Sequence, residues 1–297
     1  MAVETFGPAP LPSFVIIGAP GCATRWLRFN LDRHPEIFAP PRFDRCPPLF
    51  LFDEERLNGD GLRAYRREFV GWRGEPIVGA LEPRCMLKQT RTEAEGRPLP
   101  AQEGVSFQLA DPNAAGLVVR QLAEPQETAR RMLIAMPDCR LVLMVRNPID
   151  RLEVDFRHAV ELGKLPPDAD LAAMLNAFDL RLVNLDIYAG GMYSEPIDEF
   201  RQRFGDQLLV QFYDDVVTDP AGVYRTVLEH VGASPDFVPP DLERVRYGPH
   251  DTSPAVRLGP KDRQKLYDFA YRVQVSALEK RLGRDLSAWD PTYEAVA

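Results

Sequence analysis

The sequence predicts an α/β protein: a three-layer sandwich with a central, mainly parallel sheet flanked by helices. Three observations predict it. Phe14–Gly18 is a short run apolar on both faces, as a strand covered by helices on both sides must be, and Arg140–Arg146 and Gln207–Tyr213 are two further strong strand candidates. Helical stretches alternate with these runs along the chain. Residues 14–27, Phe-Val-Ile-Ile-Gly-Ala-Pro-Gly-Cys-Ala-Thr-Arg-Trp-Leu, read as a buried strand, a tight glycine loop and a helix start. Such a loop gathers backbone N–H groups and the positive end of a helix dipole at one spot, which suits a phosphate or sulfate group. It contains no lysine, and Gly21 stands where most loops of this shape place a cation.

The elements follow in order. Thr24–His34 reads as a helix stopped near Pro35, and residues 39–48, with four prolines, as irregular chain. Leu49–Phe52 is a short strand or packed turn, Leu62–Val70 a helix and Pro76–Leu81 a strand. Residues 88–115 are polar with scattered Gly and Pro and read as a long loop. Pro125–Ala135 is helical, and the Asn147-Pro148 break after the second strong strand leads into a helix over Asp150–Leu162. A helix over 171–188 ends at the Gly190-Gly191 turn, and Ile197–Phe204 forms another. Asp219-Pro220 opens a helix to Val231, and residues 232–262 are rich in loop. Pro260–Leu282 reads as one long amphipathic helix with Leu266, Phe269, Ala270, Val273, Ala277 and Leu278 toward the core and Gly283 as its C-cap. These elements predict a proline-rich tail over 1–13, one domain over 14–290 with 88–125 as a loop insertion, and a second tail over 291–297.

Composition narrows the function. The chain has 297 residues, 45% hydrophobic and 27% charged, with a net charge of −8 and no lysine- or arginine-rich run. That disfavours nucleic acid or an anionic membrane as partner, because both rest on clustered positive charge. No run is long and apolar enough to span a bilayer. Cys22, Cys46, Cys85 and Cys139 have neither zinc-site nor CxxC spacing, so no metal is expected, and reduced thiols fit a cytoplasmic protein. The N-terminus lacks a signal-peptide pattern.

A second element carries more chemistry. Leu141–Phe156 places Arg146 at the end of a buried strand, with an Asn-Pro turn and a helix bearing Arg151 after it. Ligands of open α/β sheets sit at the C-terminal ends of the strands, and a guanidinium there suits two-pronged phosphate contact. Taken alone, either arginine reads first as the partner of a carboxylate.

Taken together, Ile17–Arg25 followed by His34-Pro35-Glu36-Ile37, and Arg146-Asn147-Pro148-Ile149-Asp150-Arg151-Leu152-Glu153-Val154, resemble the sulfotransferases that use 3′-phosphoadenosine 5′-phosphosulfate (PAPS). Gly191-Met192-Tyr193, the segment Leu209–Val216 with Asp219-Pro220, and Leu282–Trp289 extend the resemblance over roughly residues 14–289, with 88–130 unmatched. The resemblance implies a P-loop-NTPase-like sulfotransferase fold and sulfuryl transfer from PAPS to a hydroxyl or amine of a small-molecule or carbohydrate acceptor, without a metal. It implies that Pro20, Gly21, Cys22, Ala23, Thr24 and Arg25 surround the 5′-phosphosulfate and that Arg146 takes the 3′-phosphate, with Val154 where the family has a serine. Gly21 stands at the family's lysine or arginine position, and Ala23 at its second small-residue position. Arg25 and Arg45 are candidate replacement cations, and either also reads as a surface residue.

For the acceptor's base, Ala80 aligns with the glutamate that some branches use. Glu82, two residues on, and His158 are the candidates. Glu82 reads equally as a solvated carboxylate before a proline, and His158 as a surface or packing histidine. A second function stays open: a protein of this fold that has lost PAPS-dependent transfer and binds a nucleotide or anionic metabolite, or catalyses another reaction. The acceptor and any homo-oligomeric state are not encoded in a readable pattern.

Overall fold

In the computed structural model, the described residues are 10–40, 60–87, 89–94, 97–98, 117–179, 181–182, 185–245 and 257–293. Arg45, Cys46 and the Leu49–Phe52 segment lie outside them. The chain groups into two compact units. The first comprises Met1–Lys88, Ala123–Val145 and Asp198–Tyr247; the second comprises Gln89–Leu122, Arg146–Ile197 and Gly248–Ala297.

The first unit holds a five-stranded sheet. Its strands are β1 (Phe14–Gly18), β2 (Ile37–Phe38), β3 (Ile77–Leu81), β7 (Arg140–Val145) and β8 (Leu208–Phe212), in the order β2-β3-β1-β7-β8. Every pairing is parallel. β1 is central and buried along its whole length, as is β3. Helices Thr24–Leu31, Pro125–Ala135, Tyr213–Thr218 and Pro220–Val231 accompany the sheet in this unit. Gly79 in β3 is required by packing: a Cβ there would enter the ring of Phe14, which faces it in register. The β1–β7 register shifts between Ile16 and Gly18, so the chain is re-aimed where β1 runs into its loop.

A second sheet of three strands is ordered β5-β4-β6, with β4 (Gln89–Ala94), β5 (Arg97–Pro98) and β6 (Leu117–Ala123). Strands thus stand where polar composition suggested loop, because backbone pairing supplies order that the side chains do not advertise. The rest of that stretch lies outside the described residues.

Three helices differ from expectation. The first stops at Leu31 rather than His34, and His34 caps a turn instead. Within 171–188 the helix Leu171–Asn176, capped by Asp170, is broken where Phe178 adopts a left-handed φ of 52°, and among the described residues that follow, Arg181 and Leu182 are helical again before Asp186 at φ 57°. The Pro260–Leu282 helix is split by a π turn at Tyr267–Tyr271. The wide turn shifts the buried face by one residue, so Leu266, Tyr267, Tyr271, Val275 and Leu278 are buried while Phe269 and Val273 are 72% and 75% exposed. Ala270 and Ala277 are half-buried. Gly283 is the left-handed C-cap, with φ 62°. Among the described residues no helix is long and apolar enough to cross a membrane, and no three His, Cys, Asp or Glu side chains gather as a metal site requires.

Candidate functional site

The loop after β1 is built by backbone conformation. Gly18 has φ 149°, and a Cβ there would press on the carbonyl oxygen of Pro83 at 3.1 Å and on Met86 Cγ at 3.3 Å. The Ala19 N–H donates to the Met144 carbonyl at 2.8 Å, which ties the loop to β7, and the Cys22 N–H returns to the Ala19 carbonyl at 3.2 Å. Gly21 has φ 76°, and Ala23, the N-cap of the helix Thr24–Leu31, is left-handed at φ 64°. Ala23 carries no capping side chain, so the helix opens without a side-chain hydrogen bond to its first N–H groups. Open N–H donors and a helix dipole of this kind favour a negative charge at a helix start. Thr24 is buried at the first helical position, Cys22 is fully buried, Pro20 is half-buried, and Arg25 is exposed.

The helix is held firmly behind the loop. Trp26 Nε1 donates to the Leu242 carbonyl at 2.8 Å, and the Tyr224 hydroxyl donates to the Asn30 carbonyl at 3.2 Å. The His34-Pro35-Glu36-Ile37 stretch has a structural task. His34 Nδ1 accepts the Glu36 N–H at 3.1 Å, which leaves Nε2 as the protonated nitrogen that donates to the Ser234 carbonyl at 2.9 Å. Glu36 accepts the Ser234 N–H at 2.8 Å.

Glu82 directly follows β3. Its N–H donates to the Ile16 carbonyl of β1 at 2.9 Å, so it extends the sheet toward the loop. Its carboxyl is not solvated: the residue is 5% exposed, and Oε1 has no hydrogen-bond partner among the described residues. Burial holds its pKa well above the usual carboxylate range. The same carboxyl, after burial, helps push the neighbouring Cys85 thiol up.

In the second unit, Arg146 follows the last residue of β7 and is half-buried. Asn147 N-caps the next helix, Pro148–Glu161, by accepting the Ile149 N–H at 3.0 Å, and Pro148 takes the first helical position. Asn147 Nδ2 also donates to the Trp289 carbonyl at 3.2 Å, which gives the Leu282–Trp289 ending its role. The Tyr193 hydroxyl donates to the Arg146 carbonyl at 3.0 Å. Gly191 leaves room for Pro148, whose Cβ would lie 2.7 Å from an added side-chain carbon.

The remaining candidates separate along this helix. Arg151 is 1% exposed; its Nη1 donates to the Ile187 carbonyl at 3.0 Å, and Nη2 bonds Asp155 and reaches the Asp186 carbonyl at 3.5 Å. Of the two readings for Arg151, the carboxylate partner is the one built. Val154 is half-buried in mid-helix. His158 lies in the last turn beside Glu161 at 3.9 Å, roughly 15 Å along the axis from the Arg146 end at about 1.5 Å per residue. The buried acid Glu153 accepts the Leu258 N–H and pairs with Arg263 at 2.7 Å, so it belongs to the scaffold. Asp219 caps the Pro220–Val231 helix through the Gly222 N–H at 2.9 Å.

In the first unit the glycine loop follows the C-terminal end of β1, and the Arg146-Asn147-Pro148 turn that opens the second unit's helix follows β7. A family model described as the sulfotransferase family matches residues 12–236. The chain belongs to the sulfotransferase family. A sulfotransferase from Alicyclobacillus acidocaldarius is similar in structure at 25% identity, with a TM-score of 0.68 over 95% of this chain and 99% of that one. The sulfotransferase domain of the curacin biosynthetic pathway is 13% identical, with a TM-score of 0.46 over 94% and 100% of the two chains. That of the Synechococcus PCC 7002 olefin synthase is 12% identical, with a TM-score of 0.47 over 96% and 99%. No curated protein sequence matches this chain. Family and all-parallel α/β fold agree with the sequence expectation. Sequence reasoning did not foresee the burial of Glu82 or the lock around Arg151, because both depend on chain that is distant in sequence.

Proposed function

We propose that this sulfotransferase-family protein transfers a sulfuryl group from PAPS to a hydroxyl or amine of a small-molecule or carbohydrate acceptor, as a cytoplasmic enzyme working as one functional domain over residues 14–290. The observation that carries the reading is Glu82: a buried carboxyl whose Oε1 has no hydrogen-bond partner among the described residues, at the end of the strand beside β1. An acceptor hydroxyl must lose a proton as its oxygen bonds sulfur. A carboxylate whose pKa is raised by burial is a stronger base for that proton than a solvated one. In this reading Glu82 is the base and His158 is not used.

The residues fit the donor's phosphates. The loop Pro20–Arg25 presents an uncapped helix start and the Thr24 hydroxyl to the 5′ side, and Arg146 supplies a guanidinium for the 3′-phosphate. Val154 adds only an apolar wall where a serine would donate. They fit less well at the bridging oxygen, where Gly21 offers no cation and charge stabilisation of that kind is worth about a hundredfold or more in rate. Positioning of the two reactants carries the remainder.

Transfer of labelled sulfate from PAPS across an acceptor panel tests the reading, with product lost in Glu82→Gln. Gly21 supports a second reading, a family member that binds a nucleotide or anionic metabolite without transfer. Binding of 3′-phosphoadenosine 5′-phosphate (PAP) without transfer, together with transfer gained by Gly21→Lys, would favour it.

A further inference from the structure

Arg151 presents a different problem from Arg146. It is the second arginine of the same motif, five residues on. The structure leaves it no access to an anion. Its side chain is 1% exposed, and its guanidinium is committed to Asp155 and to the carbonyls of Ile187 and Asp186. A guanidinium that bonds two successive carbonyls fixes the path of that backbone. The path needs fixing, because Asp186 sits at a left-handed φ of 57°.

Four residues of segment 186–193 hold its path around this lock. Gly190 lies directly against the guanidinium, and any Cβ there would collide with it. The Tyr188 carbonyl accepts the Tyr271 hydroxyl at 2.8 Å, and Gly191 packs on Pro148. The segment ends at Tyr193, whose hydroxyl donates to the Arg146 carbonyl at 3.0 Å. Asn147 fixes the next residue, through its cap bonds and its bond to Trp289.

We propose that Arg151 is a positioning residue for Arg146: its buried guanidinium fixes segment 186–193, and Tyr193 at the end of that segment fixes the backbone from which the Arg146 side chain springs. The inference rests on the reading that Arg146 takes the donor's 3′-phosphate. It makes the second arginine of the Arg-Asn-Pro-x-x-Arg pattern a structural determinant of 3′-phosphate selectivity, without contact to the nucleotide.

The test is calorimetric titration of the full chain with PAP and with adenosine 5′-phosphate, which lacks the 3′-phosphate, alongside thermal melting. Arg146→Ala should lower PAP affinity about tenfold and leave adenosine 5′-phosphate affinity little changed. Arg151→Lys and Tyr193→Phe should each lower the PAP preference several-fold, and the double variant should lose no more than the worse single one, because both act through one tether. Asp155→Asn, which loosens the guanidinium without removing it, gives the same readout should Arg151→Lys fail to fold. If these variants lower the melting temperature but keep the wild-type PAP preference, the positioning role is overturned while the 3′-phosphate reading stands. If Arg146→Ala keeps that preference, the 3′-phosphate reading itself falls and takes the inference with it.

Discussion

The hydroxyl of Tyr193 donates to the backbone carbonyl of Arg146 at 3.0 Å. The bond joins two sequence motifs separated by more than forty residues. It explains why a Gly-x-Tyr segment accompanies the Arg-Asn-Pro segment: Gly191 clears Pro148, and Tyr193 reaches back to the residue before the cap.

The loop holds a cost that can be relieved. Ala23 adopts φ 64°, where a Cβ is penalised by roughly 1–2 kcal/mol. Ala23→Gly should raise stability in urea unfolding by about 1 kcal/mol, through the midpoint rather than the slope. An unchanged or lower midpoint would contradict the conformation assigned to this residue.

Gly79 marks the tightest strand contact. Gly79→Ala drives a methyl group into the Phe14 ring in the middle of the parallel sheet. Overpacking of that kind costs about 1–3 kcal/mol, which thermal or urea unfolding would read as a matching loss.

Glu82 makes stability depend on pH. Its folded pKa lies well above the usual carboxylate value near 4.5, so the folded state keeps a proton that the unfolded chain has released. Its stabilising contribution is therefore whole below the unfolded pKa and is lost as pH rises toward the folded one, by up to about 1.4 kcal/mol per pH unit. Glu82→Gln should remove that slope, stabilising the protein at neutral pH and changing little near pH 4. Parallel stability–pH curves for the two proteins would contradict the burial of the carboxyl.

The same shift bears on activity. A base must be ionised, so transfer by the wild type should rise with pH through the raised pKa of Glu82, and Glu82→Gln should lose about a hundredfold or more. His158→Ala should retain most of the rate. The reverse pattern would move the base to His158.

Sequence legibility followed the reach of the interactions. Phe14–Gly18 and Arg140–Val145 were readable because burial on both faces forces continuous apolar runs, and the Asp219-Pro220 helix start and the Gly283 C-cap because each acts on its own helix end; Asn147 was read as a break, not as the cap it is. The break at Phe178 was hidden, since no glycine or proline announces its left-handed φ of 52°. The π turn at Tyr267–Tyr271 was hidden too, and it exchanged Phe269 and Val273 for two tyrosines on the buried face. At the candidate site, loop and Arg146 were visible as local motifs. The burial of Glu82 and the burial of Arg151 against Ile187 were not, because each is set by chain from another element.

The donor site is the centre of the account, and calorimetry with PAP tests it most directly. The wild type should bind PAP, and Arg146→Ala should weaken that binding by about tenfold with the fold intact. No binding at millimolar PAP would contradict it.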